Sequence, residues 1–211
     1  MAYVIVILMY DFTGTIVGVR CKEGVALAAD TRATMYYFIR SKRAQKIFRL
    51  EERIGAAVSG SSGDVQSFVN ALRAEANIYR LNMGHQIPTK GLVQVASNLL
   101  FGRRMYPYIV AGVISGYDED GPSLYFVDPV GGKLEEDKFA SAGTGSTVAY
   151  GVLEHSYRDD MSLEECAKLA AESIKTAIER DAATGEKTVV ALIDKKGYRE
   201  LSDNEVEKLK S

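Results

Sequence analysis

The chain has 211 residues, 46% of them hydrophobic, enough to bury one substantial core in a single compact domain. Its 26 basic and 28 acidic side chains nearly cancel to a formal net charge of -2, which excludes a global field drawing it to nucleic acid or to an anionic membrane. Only two cysteines, Cys21 and Cys166, and two histidines, His85 and His155, occur, without Cys-x-x-Cys spacing, which argues against a metal site and fits a reducing cytoplasm.

Ala2 to Tyr10 (AYVIVILMY) is a continuous apolar run. It is too short to span a bilayer and lacks the basic flank and small-residue cleavage site of a secretory signal. Its Tyr, Val and Ile content favours a buried strand or an interface segment. Thr15 to Cys21 and Val25 to Asp30 are β-prone runs joined by Lys22-Glu23-Gly24, a hairpin signal. Met35 to Ile39 is another β-prone stretch, the basic segment Arg40 to Lys46 follows, and Ile47 to Leu50 with Ile54 to Ser59 make a further pair closing on Gly60.

The period then changes. Val65, Phe68, Val69, Leu72 and Ala76 recur at helical spacing, with Asp64 at the start and Gly84 at the end, and Thr89 to Arg103 carries a second apolar stripe. Strands return at Tyr108 to Ser115, Ser123 to Val127 and Lys138 to Ser141, with polar turns at Tyr117 to Gly121 and Pro129 to Gly132. Helical patterning covers Thr147 to Tyr157 and Met161 to Arg180, the latter with the capping box Ser162-x-x-Glu165, and Thr188 to Ile193 is read as the closing strand. Short links between strands argue for antiparallel sheets covered by helices. The pattern fits a four-layer αββα sandwich, and equally a two-layer α+β domain.

Several segments together resemble the β subunits of archaeal proteasomes: VGVRCKEGVALAADTRAT at 17–34, SKRAQKIFRL at 41–50, AAVSGSSGDVQ at 56–66, YPYIVAGVISGYD at 106–118, ASAGTGSTVAYGVLE at 140–154 and IERDAATG at 178–185. The resemblance implies the N-terminal nucleophile hydrolase fold, an α+β four-layer αββα sandwich. In that class a propeptide is removed and a threonine becomes the first residue. Its hydroxyl attacks a peptide carbonyl while its freed α-amine, with a reference pKa of about 8 against about 10.4 for lysine, takes the proton. Residues 1–14 are then a leader or propeptide, and 15–211 a single domain.

By matching motifs, Asp30 in LAADTR pairs with an essential lysine, Lys46 in AQKIF, and Gly60 in AAVSG offers its backbone N–H as the oxyanion hole. Thr144, Asp181 and Thr184 match the hydroxyls and carboxylate that orient the terminal amine, with Thr144 standing where the family usually has serine. Ala33, Ala44 and Val58 match pocket positions and suggest a preference for apolar side chains. The same resemblance implies no cofactor and no metal.

The processing point departs from the family. Active members read Gly-Thr-Thr-Thr-Val-Gly there, whereas this chain reads Phe12-Thr13-Gly14-Thr15-Ile16-Val17-Gly18. Counting back from Val17-Gly18 without a gap puts Gly14, which has no hydroxyl, at the nucleophile position. The rival register cuts the Gly14-Thr15 bond and makes Thr15 the terminal nucleophile, although a one-residue slip turns a strand side chain to the opposite face. Implied partners are proteasome α subunits, other β subunits in a seven-membered ring, a polypeptide substrate, and a regulatory ATPase acting through the α ring. A small-molecule amidase on the same fold is the alternative from another class.

Overall fold

The computed structural model describes residues 13–35 and 37–209, so the expected apolar strand at Ala2 to Tyr10 lies outside the described residues. Two five-stranded antiparallel sheets make the centre. The first has the order β10-β1-β2-β11-β12, built from β1 (Thr15–Cys21), β2 (Gly24–Asp30), β10 (Phe139–Gly143), β11 (Thr188–Asp194) and β12 (Gly197–Glu200). The second runs β5-β6-β7-β8-β9, from β5 (Ile47–Glu51), β6 (Ile54–Gly60), β7 (Val110–Asp118), β8 (Gly121–Val127) and β9 (Lys133–Glu135). A small hairpin, β3 (Ala33–Met35) with β4 (Phe38–Ser41), links them.

The strand period of two decides where each side chain goes. On β1 and β2, Val17, Val19, Ala26 and Ala28 face α3 (Ser146–Ser156) and α4 (Leu163–Arg180). The intervening Ile16, Leu27 and Ala29 face Ala57, Val113 and Leu124 of the other sheet. That second sheet turns Ile54, Ala56 and Val58 outward to α1 (Ser62–Met83) and α2 (Thr89–Gly102), which bury Phe68, Leu72, Leu92 and Leu100 against it. Helices, sheet, sheet, helices are therefore stacked as four layers, the sandwich rather than the two-layer alternative.

Most expected elements stand within a few residues of the predicted limits. The helix terminators behave as read: Gly84 takes φ +76° after α1, and Ser162 and Glu165 form both halves of the capping box on α4. The single strand expected at Met35 to Ile39 is instead divided between two paired strands, Met35 ending β3 and Phe38 and Ile39 beginning β4. The loop expected at Tyr117 to Gly121 shrinks, because β7 and β8 pair as far as Asp118 and Gly121. The chain does not close on β11: β12 follows, then α5 (Asp203–Leu209), where Ser202 and Glu205 exchange hydrogen bonds as a second capping pair. No described helix is long and apolar enough to cross a membrane.

Candidate functional site

The hairpin β1–β2 brings the start of one strand beside the end of the other, Ile16 facing Ala29, so Thr15 and Asp30 meet at the ends of two interior strands of the first sheet. Asp30 is fully buried and receives the Thr15 N–H (2.8 Å) and Lys46 Nζ (2.6 Å) on Oδ1, and the N–H groups of Arg32 and Gly185 (3.0 Å each) on Oδ2. Lys46 enters from the other sheet, one residue before β5, and is 6% exposed. Burial pulls its pKa below the ordinary lysine value, opposed by the charge and hydrogen bond of Asp30.

Gly14 touches this pair. Its φ of +88° is the left-handed region that favours glycine, and a Cβ there would collide with the Lys46 ammonium and lie 2.5 Å from Asp30 Oδ1. Position 14 is thus the one whose side chain would project at Lys46. The preceding carbonyl, of Thr13, accepts from Lys46 Nζ (3.3 Å) and Ser59 Oγ (3.2 Å).

Thr15 turns the other way, as a strand neighbour must. Its buried hydroxyl lies 2.7 Å from Thr184 Oγ1. Thr184 donates its single hydroxyl proton to Asp181 Oδ2 (2.5 Å), so Thr15 is the donor to Thr184. Thr144, in the turn that follows β10, donates to the same Asp181 oxygen at 2.6 Å. Its partner residue across from Thr15 is Gly143, where φ is +97° and a Cβ would run into the Gly14 carbonyl, so glycine lets the two backbones close up.

Gly60 ends β6 with φ +148°, and a Cβ would strike the Ile109 carbonyl oxygen at a distance no side chain tolerates. Beside it opens a cleft of about 420 Å³ whose walls include Ala33, Ala44 and Val58 together with Phe48 and Val65. Thr13, Gly60 and Lys46 line the same cleft. All the sequence-derived positions are therefore gathered into one region, Asp30, Lys46, Gly14 and Gly60 on one side of the β1 start and Thr15, Thr144, Asp181 and Thr184 on the other.

Four further residues contribute without standing among the motif-matched positions. Ser59 holds the Thr13 carbonyl. Arg32 spans the loop after α4, donating to Ala182 O (3.0 Å) and Glu186 Oε1 (3.1 Å), and Glu186 there adopts φ 71°. Arg40 and Arg43 bring positive charge into a cleft expected to be apolar. Their only sequence signal was the basic run from Arg40 to Lys46. His85 and His155 are exposed and stand apart from these residues.

A family model described as proteasome subunit matches residues 11–193. Among curated proteins, the chain is 46% identical over 195 residues to the proteasome subunit beta 1 of Thermococcus sibiricus, covering 92% of this chain and 93% of that protein. It is 44% identical over 196 residues to the proteasome subunit beta of Methanocaldococcus vulcanius, covering 92% and 88%. It is 40% identical over 192 residues to that of Methanosarcina mazei, covering 91% of each.

Proposed function

Because the chain belongs to the proteasome subunit family, as a β subunit of the archaeal core particle that assembles with α and other β subunits, we propose that it is a noncatalytic member of its ring. The observation that carries this reading is the swap of chemistry at the start of β1. Glycine stands against Lys46, and the hydroxyl of the next residue, Thr15, is buried on the opposite side against Thr184. Position 14 offers Lys46 no hydroxyl and the Ser59 hydroxyl beside it is spent on the Thr13 carbonyl, so nothing attacks a carbonyl held at the Gly60 N–H, and residues 1–14 stay attached as a leader ahead of the domain at 15–211.

In this reading the chain completes a seven-membered ring, and a catalytic β neighbour hydrolyses the polypeptide that a regulatory ATPase feeds through the α ring in the cytoplasm. The Asp30–Lys46 pair then serves architecture, tying the two sheets together. Ala33, Ala44 and Val58 line a cleft that accepts an apolar side chain without cutting next to it.

A second reading rests on one specific observation, the complete set of supporting groups around Thr15. Its N–H rests on Asp30 and its hydroxyl ends a chain through Thr184 to Asp181, to which Thr144 also donates. Cleavage between Gly14 and Thr15 would free that nitrogen as an amine. The Thr15 hydroxyl would then attack the substrate carbonyl, pass its proton to the amine, and leave the oxyanion on the Gly60 N–H.

The experiment is the intact mass and N-terminal sequence of the chain isolated from the assembled particle. A retained leader is expected, together with no peptide hydrolysis by particles whose only β subunit is this chain. An N-terminus at Thr15 with a matching mass loss would overturn the noncatalytic reading and install the second one.

A further inference from the structure

A second cavity, of about 520 Å³, opens on the far side of the segment that walls the cleft, and no role above uses it. Residues 43–46 line both spaces, and this wall is pinned where the Ala44 N–H meets the Thr31 carbonyl at 2.8 Å. The size lies in the ordinary range for small-ligand pockets. Ile47, Val189 and Leu201 give it apolar surface, while Lys42, Arg43 and Lys187 set cations around it.

Its two carboxylates are engaged. Glu186 accepts from Arg32 and sits 3.8 Å from Lys42, and Glu200 accepts from the Tyr198 hydroxyl at 2.7 Å. Lys187 reaches outward to Asp203 at 2.7 Å. Arg43, exposed and lining both this cavity and the cleft, has no ion pair among the described residues, so its planar, two-pronged donor is available to a ligand here.

We propose that this cavity binds the C-terminal residue of a peptide, its free carboxylate on Arg43 and Lys42 and its apolar side chain on Ile47, Val189 and Leu201. Every cut a proteolytic particle makes releases a peptide with such a terminus, so the chemistry fits a product held away from the cleft. The site is independent of whether position 14 or 15 supplies a nucleophile. Because it shares the Arg43–Lys46 wall with the cleft, an occupant presses on the element that carries Lys46.

The test is calorimetric titration of the full chain with a pentapeptide ending in leucine, as the free acid and as the C-terminal amide. Saturable binding of the acid is expected, with the amide weaker by about tenfold or more, the loss of one charge-assisted contact. Lys42→Glu, at a largely exposed side chain that lines only the second cavity, should weaken the acid by a similar factor, whereas Arg40→Glu, which changes only the cleft, should leave it unaltered. Equal binding of acid and amide, no saturation, or sensitivity to Arg40→Glu in place of Lys42→Glu would overturn the proposal. Hexanoate binding more tightly than the peptide acid would overturn the peptide as occupant.

Discussion

Asp30 gathers a lysine ammonium and three backbone N–H groups on two oxygens, so its charge is matched on every side while water is excluded. Replacing it by asparagine keeps the shape and removes the charge, leaving the Lys46 ammonium buried and uncompensated. Breaking one half of a buried pair costs about 3–5 kcal/mol, and Asp30→Asn should lower stability by that order in denaturant titration at neutral pH. The loss should also shrink as pH rises. Burial already holds the Lys46 pKa below its ordinary 10.5, and removing Asp30 takes away the main opposing influence. Between the lowered folded value and 10.5 the unfolded chain binds more protons than the folded one, so stability climbs with pH across that window, more widely in the variant than in the parent. A cost that stayed constant from pH 7 to 10 would mean that Lys46 keeps its proton without Asp30.

Helix α4 shows which elements a sequence declares. Its stripe buries Cys166, Leu169, Ala170 and Ile174, and its start is fixed by Ser162 and Glu165, whose side chains each bond the other's backbone. Ser162→Ala removes one of those bonds and should cost about 1 kcal/mol, a fall in Tm of roughly 2–4 °C by calorimetry for a chain of this size. Elements as strongly patterned as α1, α2, β1 and β2 were legible for the same reason. By contrast β9 is three exposed residues and β12 has no buried position, so neither carries an alternation to read. Helix α5 buries only Val206, although Ser202-x-x-Glu205 was a start signal in plain view. The site divides likewise. Asp30, Lys46 and Gly60 were found by motif, but Ser59 and Arg32 act by reaching carbonyls and a carboxylate on distant segments, and only the tertiary pairing reveals those partners.

The site straddles the interface between the two sheets. Gly14, Thr15 and Asp30 ride on the first, while Lys46, just before β5, and Gly60 belong to the second, so the Lys46–Asp30 contact bridges the two sheets. The spacing between the sheets is narrow at Gly18 in β1, where a Cβ would come within 2.8 Å of Leu124 Cδ1 and of Val113 Cγ1 across the gap. Gly18→Val inserts volume between packed layers and should cost about 1–3 kcal/mol, a Tm drop of roughly 2–12 °C. Gly63→Ala in α1, where a Cβ meets nothing within 4 Å, should be neutral or stabilising by at most about 1 kcal/mol. The decisive measurement is the double variant. Substitutions whose sites share no partner add within about 0.3–0.5 kcal/mol, and Gly18 touches neither Asp30 nor Lys46. If sheet spacing governs the ion pair, forcing the sheets apart has already weakened what Asp30→Asn removes. The combined cost of Gly18→Val with Asp30→Asn should then fall short of the sum by more than about 0.5 kcal/mol. Simple additivity would mean that Lys46 follows Asp30 through its flexible side chain, and that the pair tolerates relative movement of the two sheets.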